Sequence, residues 1–271
     1  MTILERPNLK LILIPLLAAS LTYLQSCKDE DGDINLFSVS DDLAFGAQTA
    51  EQIENDSSFA IIDSASNVAA YAYIYAMRDK ILNTQLLNYT DRFPWRIRLV
   101  NDEVLNAFCT PGGYIYVYTG LIKFLDFESE LAGVMGHEMA HADKRHSTDA
   151  LSRQYGISLM LDIIFGKEKG QLARIASGLK DLQYSRKNEA EADEYSVIWL
   201  NATDWDAKGA AGFFQKLIDQ GQSGGTPQFL STHPDPGNRV QAITDKWIEL
   251  GSKPGVQNQA EYTTFKSILP Q

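Results

Sequence analysis

Two of the chain's four histidines stand four residues apart, and a glutamate directly follows the first of them. They are His137 and His141, with Glu138 between them, in the segment LAGVMGHEMAHADKRH. Side chains at i and i+4 lie on one face of a helix, so both imidazoles could bind the same ion. This is the H-E-x-x-H arrangement, in which two histidines bind Zn²⁺ and the glutamate is a general base. His146 would be rotated off this face, and we expect it at the surface or at a helix end.

A reactive metal site needs a third protein ligand, and an acidic segment downstream could supply one. Catalytic zinc takes three protein ligands and keeps one position open for water. In SRKNEAEADEYS, Glu189 and Asp193 share one face of a predicted helix, while Glu191 points away from both. We predict that Glu189 binds the metal and that Asp193 accepts a hydrogen bond from a ligating imidazole. A solvated acidic face is the alternative, and the upstream histidines make it the less favoured one.

Hydrophobic periodicity predicts a mostly helical chain with one small sheet. WRIRLVND and YIYVYTG alternate apolar and polar residues as strands do, and the Pro-Gly-Gly of NAFCTPGG marks a turn between them. We therefore expect a small antiparallel sheet. Helices are predicted at about 40–55 with Ser40 as the N-cap, 65–89, 127–145, 149–165, 169–184, 186–201, 207–220 and 236–250.

The N-terminus has the features of an export signal. Arg6 and Lys10 precede an apolar run at 11–24, and LQSC then ends at Cys27, a pattern that resembles the lipobox of bacterial lipoproteins. A plain signal peptide or an N-terminal membrane anchor are the alternatives. We predict three parts, namely a lipoprotein signal peptide at 1–26, an acidic tether at 27–39 and one domain at 40–271.

Charge and cysteine content exclude several classes of function. The net charge is −11 and would become −12 without residues 1–26, so nucleic acid is a poor partner. The chain has two cysteines, and lipidation of Cys27 would leave Cys109 without an internal partner. Membrane contact would then come from the acyl chains, and the domain would be held by its core or by a metal.

Several segments together resemble one family of metallopeptidases. HEMAH followed by the E-x-x-x-D of EAEAD is similar to the gluzincins. Three further segments resemble the CAAX prenyl protease/HtpX family in the family's own order, and they are NAFCTPGGYIYVYTGLI, SRKNEAEADEYS and STHPDPGNR. The integral-membrane members carry several spans, and this chain has none after residue 26. It is therefore closest to the envelope-facing branch that includes outer-membrane lipoprotein proteases.

The resemblance implies a fold, a cofactor and a set of site residues. The fold would be α+β and mostly helical, zincin-like, with the small antiparallel sheet beside the HExxH helix. One Zn²⁺ per chain would be held by His137, His141 and Glu189. His233 would be an extra donor to the oxyanion or an inhibitory occupant of the open position, and Arg239 a helper or a clamp on a substrate carbonyl.

The resemblance also implies how substrate binds and where the protein works. An edge strand would pair with an extended peptide through main-chain hydrogen bonds. The residues placed there are Asn106, Ala107, Tyr114 and Tyr116. Substrates would be unfolded or misfolded polypeptides in the envelope of a Gram-negative bacterium. The protein would be an outer-membrane lipoprotein, facing the periplasm or exposed at the surface.

Two other functions fit parts of the same sequence. A chaperone-like or latent binding protein of this fold would keep the metal and cleave little, although Glu138 would then have no purpose. A structural zinc site is the other alternative, but such sites are usually closed by four ligands and rich in cysteine. The sequence therefore favours a zinc metalloendopeptidase.

Overall fold

A computed structural model describes residues 37–164, 169–220, 228–233 and 238–270. The predicted signal peptide, Cys27 and the tether up to residue 36 lie outside the described residues, as does the proline-containing part of the STHPDPGNR segment, residues 234–237. Among the helices within these ranges, none combines the length and the apolar run that crossing a membrane requires.

Helices dominate the described ranges, as the sequence predicts. In chain order the elements are α1 Val39–Asn55, α2 Val68–Leu82, β1 Arg96–Val100, β2 Ala107–Thr110, β3 Tyr114–Tyr118, α3 Thr119–Phe124, α4 Glu128–Asp143, α5 His146–Tyr155, α6 Ile157–Ile164, α7 Lys169–Gly178, a 3-10 turn at Leu179–Asp181, α8 Arg186–Asn201, α9 Gly209–Asp219, α10 Gln228–Thr232, α11 Arg239–Glu249 and α12 Gln259–Ser267. The predicted α+β, mostly helical fold is confirmed.

The sheet differs from the prediction in its topology. Its strand order is β1-β3-β2, with β3 parallel to β1 and antiparallel to β2. The expectation of a fully antiparallel sheet was wrong because Ala107–Thr110, read as part of a turn, forms a strand of its own. The chain therefore reverses twice between β1 and β3 rather than once. Gly112 and Gly113 make the tight β2–β3 turn with φ values of +78° and +84°, which favour glycine.

Two predicted helix boundaries shift for local reasons. The N-cap of α1 is Ser38 rather than Ser40, because the Ser38 side chain accepts the Asp41 N–H while the Asp41 carboxylate accepts the Ser38 N–H. Helix α2 ends at Leu82, before the predicted residue 89, and Gln85 then takes a left-handed φ of +58°. Among the apolar residues of α2, Tyr71 and Ile81 are buried, Tyr75 and Leu82 are partly buried, and Val68 at its start is exposed.

Small residues bring α8 and α9 unusually close to α4. A side-chain carbon on Gly133 would lie 2.2 Å from the backbone nitrogen of Ala210, and one on Gly136 would lie 2.8 Å from Ser196 Oγ. The Ser196 hydroxyl also donates a hydrogen bond of 2.8 Å to the Gly133 carbonyl. This close packing places the acidic face of α8 directly against the HExxH face of α4.

Candidate active site

Helix α4 carries the two histidines and the glutamate in its C-terminal half. Its residues from Ser129 to Asp143 are all buried, so its polar side chains face protein rather than solvent. The Glu130 carboxylate accepts the Asp126 N–H at 2.7 Å, which satisfies a backbone donor just before the helix and suits the positive end of the helix dipole. A helix anchored at its start and buried along its length holds its side chains in fixed directions.

Four potential ligands from three parts of the chain converge at one point. Ligand atoms of His137, His141, Glu189 and His233 all lie within 4.8 Å of one another, and all four side chains are buried. His137 Nε2 is 2.9 Å from His141 Nε2 and 3.2 Å from His233 Nδ1, and His141 Nε2 is 3.4 Å from Glu189 Oε1. Ligands of a tetrahedral zinc ion stand about 3.3 Å apart, so the spacing suits such an ion.

Orphaned polar atoms next to this cluster also fit a cation. Within the described part of the chain, Glu138 Oε1, Glu138 Oε2 and Glu189 Oε2 are buried and make no hydrogen bond. Buried polar atoms without partners are rare in folded proteins. Glu189 Oε2 has ion-pair contacts alone, 3.2 Å from Arg239 Nη1 and 3.4 Å from His137 Nε2, and a divalent ion beside it would satisfy it. Two imidazoles with a carboxylate are a donor set that suits zinc.

The environment shifts the pKa values of Glu138, Glu189, His141 and His137. Burial raises the pKa of Glu138 despite the opposing charges of His233 and His137. Burial would raise the pKa of Glu189 as well, but the attraction of His233 and hydrogen bonds from the other histidines hold it well below the usual range. Burial lowers the pKa of His141, whereas hydrogen bonds to Asp193 and Glu189 outweigh burial and raise the pKa of His137 to about 9.

Asp193 and Arg239 form a second layer behind the cluster. Asp193 Oδ1 lies 2.9 Å from His137 Nδ1, the ring nitrogen that faces away from the other ligands. Arg239 donates to both carboxylate oxygens of Asp193, from Nε at 2.7 Å and from Nη2 at 2.6 Å. Burial would raise the pKa of Asp193, but Arg239 and His137 outweigh it and lower that pKa. Arg239 is buried and also lies 3.2 Å from Glu189, so its geometry supports a helper of the carboxylates rather than a clamp on substrate.

His146 lies at a helix end, which was one of the two expected positions, but it is not at the surface, which was the other. It is the first residue of α5, yet only 4% exposed, and its Nδ1 lies 2.9 Å from Nδ1 of His141. The helical spacing from His141 does not predict where the His146 side chain points, because α4 ends at Asp143 and Arg145 takes a left-handed φ of +61°. The chain turns there and carries His146 back against the metal-facing helix.

Two aromatic residues beside the cluster escaped the sequence analysis. The ring of Tyr184 stacks on His141 at a centroid distance of 3.8 Å, and the ring of Phe229 stacks on His233 at 4.3 Å. Tyr184 directly precedes Ser185, the N-cap of α8, and Phe229 stands four residues before His233. These positions in the sequence could have predicted both contacts. Tyr184 adjoins the start of the helix that carries Glu189, and Phe229 stands about one helical turn before His233.

The strand residues are only partly where substrate pairing requires them. Tyr114 and Tyr116 lie on β3, the central strand, so their predicted edge position is wrong, because both sides of β3 are already paired. Asn106 and Ala107 stand at the start of β2, which is an edge strand, and both are buried. The Asn106 Oδ1 atom makes no hydrogen bond within the described ranges.

Comparisons with known proteins agree with the geometry. Residues 73–247 of the chain match the model of peptidase family M48. It is 29% identical over 252 residues to metalloprotease YcaL of Escherichia coli K12, a match that covers 88% of this chain and 97% of that protein. It is 32% identical to mitochondrial metalloendopeptidase OMA1 of Arabidopsis thaliana over 58% of this chain, and 29% identical to the beta-barrel assembly-enhancing protease of Yersinia pestis over 62% of it.

These matches differ in how much of each relative they include. The chain spans nearly all of YcaL but only 32% of OMA1 and 37% of the beta-barrel assembly-enhancing protease. The chain is therefore a metallopeptidase of peptidase family M48.

Proposed function

We propose that this protein is a zinc-dependent endopeptidase that cleaves unfolded or misfolded proteins of the cell envelope. The observation that carries the proposal is the buried Glu138 carboxylate, which makes no hydrogen bond and lies beside four convergent metal ligands. A structural metal site has no need of such a group. A general base does, because it must be free to take a proton.

The residues divide the chemistry of peptide hydrolysis among them. His137, His141 and Glu189 would hold one Zn²⁺, which would supply a Lewis acid for the scissile carbonyl and make water acidic. Glu138 would take the proton of the attacking water and return it to the leaving nitrogen. Burial raises the pKa of Glu138, which suits a group that must hold a proton between these two steps. Asp193, fixed by Arg239, would orient the His137 ring.

The edge strand β2 supports extended, unstructured substrates. The Tyr118 N–H donates to the Asn106 carbonyl, so in this antiparallel pair the backbone N–H and C=O of Phe108 also point toward β3. The backbone groups of Ala107 and Cys109 then point toward the outer edge of the sheet. A peptide added there would be held by main-chain hydrogen bonds, with little side-chain preference. Part of that edge has a neighbour already, because Ser147 Oγ lies 3.4 Å from the Cys109 carbonyl. Ala107 is buried as well, so a substrate could pair there only after the residues that cover it move aside.

Location in a Gram-negative envelope rests on the relatives and on the N-terminal sequence. Similarity to bacterial proteins named for β-barrel assembly supports the envelope, and the lipobox-like LQSC supports an outer-membrane lipid anchor on Cys27. The wild type should incorporate labelled palmitate, and a Cys27→Ser variant should not. If the wild type incorporates no label, the lipid anchor is ruled out.

A latent protein with little proteolysis is the second candidate, and one observation favours it. His233 lies within ligand distance of the other three side chains, which would close the metal site to substrate. In that case the same fold would bind unfolded chains without cutting them.

Two forms of one substrate separate these functions. The zinc-loaded full chain, purified in mild detergent, is incubated with native ribonuclease A and with the reduced, carboxymethylated form of the same protein. We expect cleavage of the unfolded form only, loss of cleavage with 1,10-phenanthroline, and recovery when zinc is returned. Retention of the unfolded form without cleavage would favour the latent binding protein, and equal cleavage of both forms would argue against specificity for unfolded chains.

A further inference from the structure

His146 makes a contact that the metal site itself does not require. Its Nδ1 atom lies 2.9 Å from His141 Nδ1, and its Nε2 atom lies 3.3 Å from Glu191 Oε2. His146 is not one of the four grouped ligands. His141, His146 and Glu191 instead form a chain of contacts that starts at one ligand, His141, and leads away from the cluster. All three residues lie on elements next to the cluster, namely α4, α5 and α8.

If His141 binds a metal, only one assignment of hydrogen-bond donors and acceptors fits the contacts among His141, His146 and Glu191. The Nε2 atom of His141 faces the other ligands, 2.9 Å from His137 Nε2 and 3.4 Å from Glu189 Oε1. An imidazole that gives its Nε2 lone pair to a metal carries its proton on Nδ1. Nδ1 of His141 must therefore donate, and Nδ1 of His146 must accept.

The same reasoning fixes the tautomer of His146. An imidazole that accepts at Nδ1 carries its proton on Nε2, and that proton points at Glu191 Oε2. The Glu191 carboxylate accepts this hydrogen bond, and its other oxygen, Oε1, lies 3.9 Å from Lys144 Nζ. The carboxylate of Glu191 thus sets the tautomer of His146, which sets that of His141.

We propose that the His146 imidazole, held between Glu191 and Nδ1 of His141, is a positioning residue that keeps His141 Nε2 directed at the metal. The proposal rests on the proposed function, since it requires a metal at the four-ligand cluster. It gives each of the two histidine ligands its own partner. His137 is held by a carboxylate, Asp193, and His141 by a neutral imidazole.

The turn that delivers His146 is itself held by contacts from the N-terminal helix. Arg145, with its left-handed backbone, donates through Nε to the buried carboxylate of Asp42 in α1 and through Nη2 to the Phe37 carbonyl. Thr148 donates to the other oxygen of Asp42 at 2.7 Å. These bonds fix the start of α5, so His146 reaches His141 from a rigid base.

The test compares two substitutions that differ in one acceptor atom. His146→Leu fills the space without an acceptor, while His146→Asn can place its amide oxygen, an acceptor, near the position of Nδ1. Competition with a zinc-binding dye in the full chain should show about tenfold weaker zinc affinity for His146→Leu, and the Asn variant should recover most of the loss. Ser152→Ala, a truncation elsewhere on α5, is the matched control and should leave the affinity unchanged.

A second measurement on the wild type does not depend on any variant folding. Nitrogen-15 NMR of histidine rings in the zinc-loaded protein should show His141 protonated on Nδ1 and His146 protonated on Nε2. The proposal is overturned if His146→Leu binds zinc as tightly as wild type, if Asn recovers no more than Leu, or if His146 is protonated on Nδ1. Failure of the wild type to bind zinc at all would instead remove the proposed function.

Discussion

A Glu138→Gln variant is expected to lose at least about 10²-fold of the endopeptidase rate while it still binds zinc. The amide has the size of the carboxylate but cannot take a proton from water. Both Glu138 oxygens are buried and make no hydrogen bond within the described part of the chain, so the substitution removes only the charge that faces His233 Nε2, 3.4 Å from Oε1. The loss should therefore fall on kcat rather than on metal binding or on folding. Rates are measured with the reduced, carboxymethylated ribonuclease A at saturating zinc.

The control for this experiment lies on a neighbouring helix. Glu194→Gln removes the same charge from the exposed side of α8, where Glu194 pairs with Lys246, and it should leave the rate unchanged. Zinc affinity of each variant is measured by dye competition. If Glu138→Gln retains the wild-type rate within a factor of a few, another group acts as the base, and the role proposed for Glu138 is wrong.

Local spacing made the ligand-bearing helices predictable. The four-residue interval from His137 to His141, and that from Glu189 to Asp193, each place two side chains on one helical face whatever surrounds them. Both helices form, and the structure brings the two faces together. Spacing alone could not predict that the helices touch, because their contact depends on Gly136, which allows α8 to pack closely.

Features that depend on backbone breaks or long-range contacts were beyond the sequence. The left-handed turn at Arg145 redirects His146, and no periodicity passes through such a turn. The short strand β2 was predicted to be part of a turn. Because it forms a strand between β1 and β3 in the chain, those two strands are parallel rather than antiparallel as predicted. The hydrogen bonds from Arg239 to Asp193 join residues 46 positions apart, so their geometry depended on how α8 and α11 pack.

His233 occupies the position from which it can either assist or block the reaction. Its Nδ1 atom is 3.2 Å from His137 Nε2 and 3.1 Å from Glu189 Oε1, while its Nε2 atom is 3.4 Å from Glu138 Oε1. It is fully buried, and the ring of Phe229 stacks against it. A donor that waits for an oxyanion would leave the ligand position open. This arrangement instead supports a closed state, in which His233 is a fourth ligand and contacts the general base.

Removal of His233 should therefore activate the enzyme. A closing interaction with charged partners that is worth about 2 kcal/mol leaves only a few per cent of the molecules open. We expect His233→Ala to raise kcat/KM toward a short unfolded peptide by about 30-fold, because nearly every molecule would then be open. Ser231→Ala, on the exposed side of the same short helix, is the matched control and should not change the rate.

If His233 assists the reaction instead of blocking it, the His233→Ala variant should be slower than the wild type rather than faster. If its main task is to donate a hydrogen bond to the oxyanion, His233→Ala should lower kcat by about 10²- to 10³-fold, as loss of such donors does in other hydrolases. Zinc affinity measured in parallel separates either result from simple metal loss, because three ligands remain in the variant. A fall in kcat with zinc still bound would contradict the closed state, and a rise would mean that His233 closes the ligand position in the wild type.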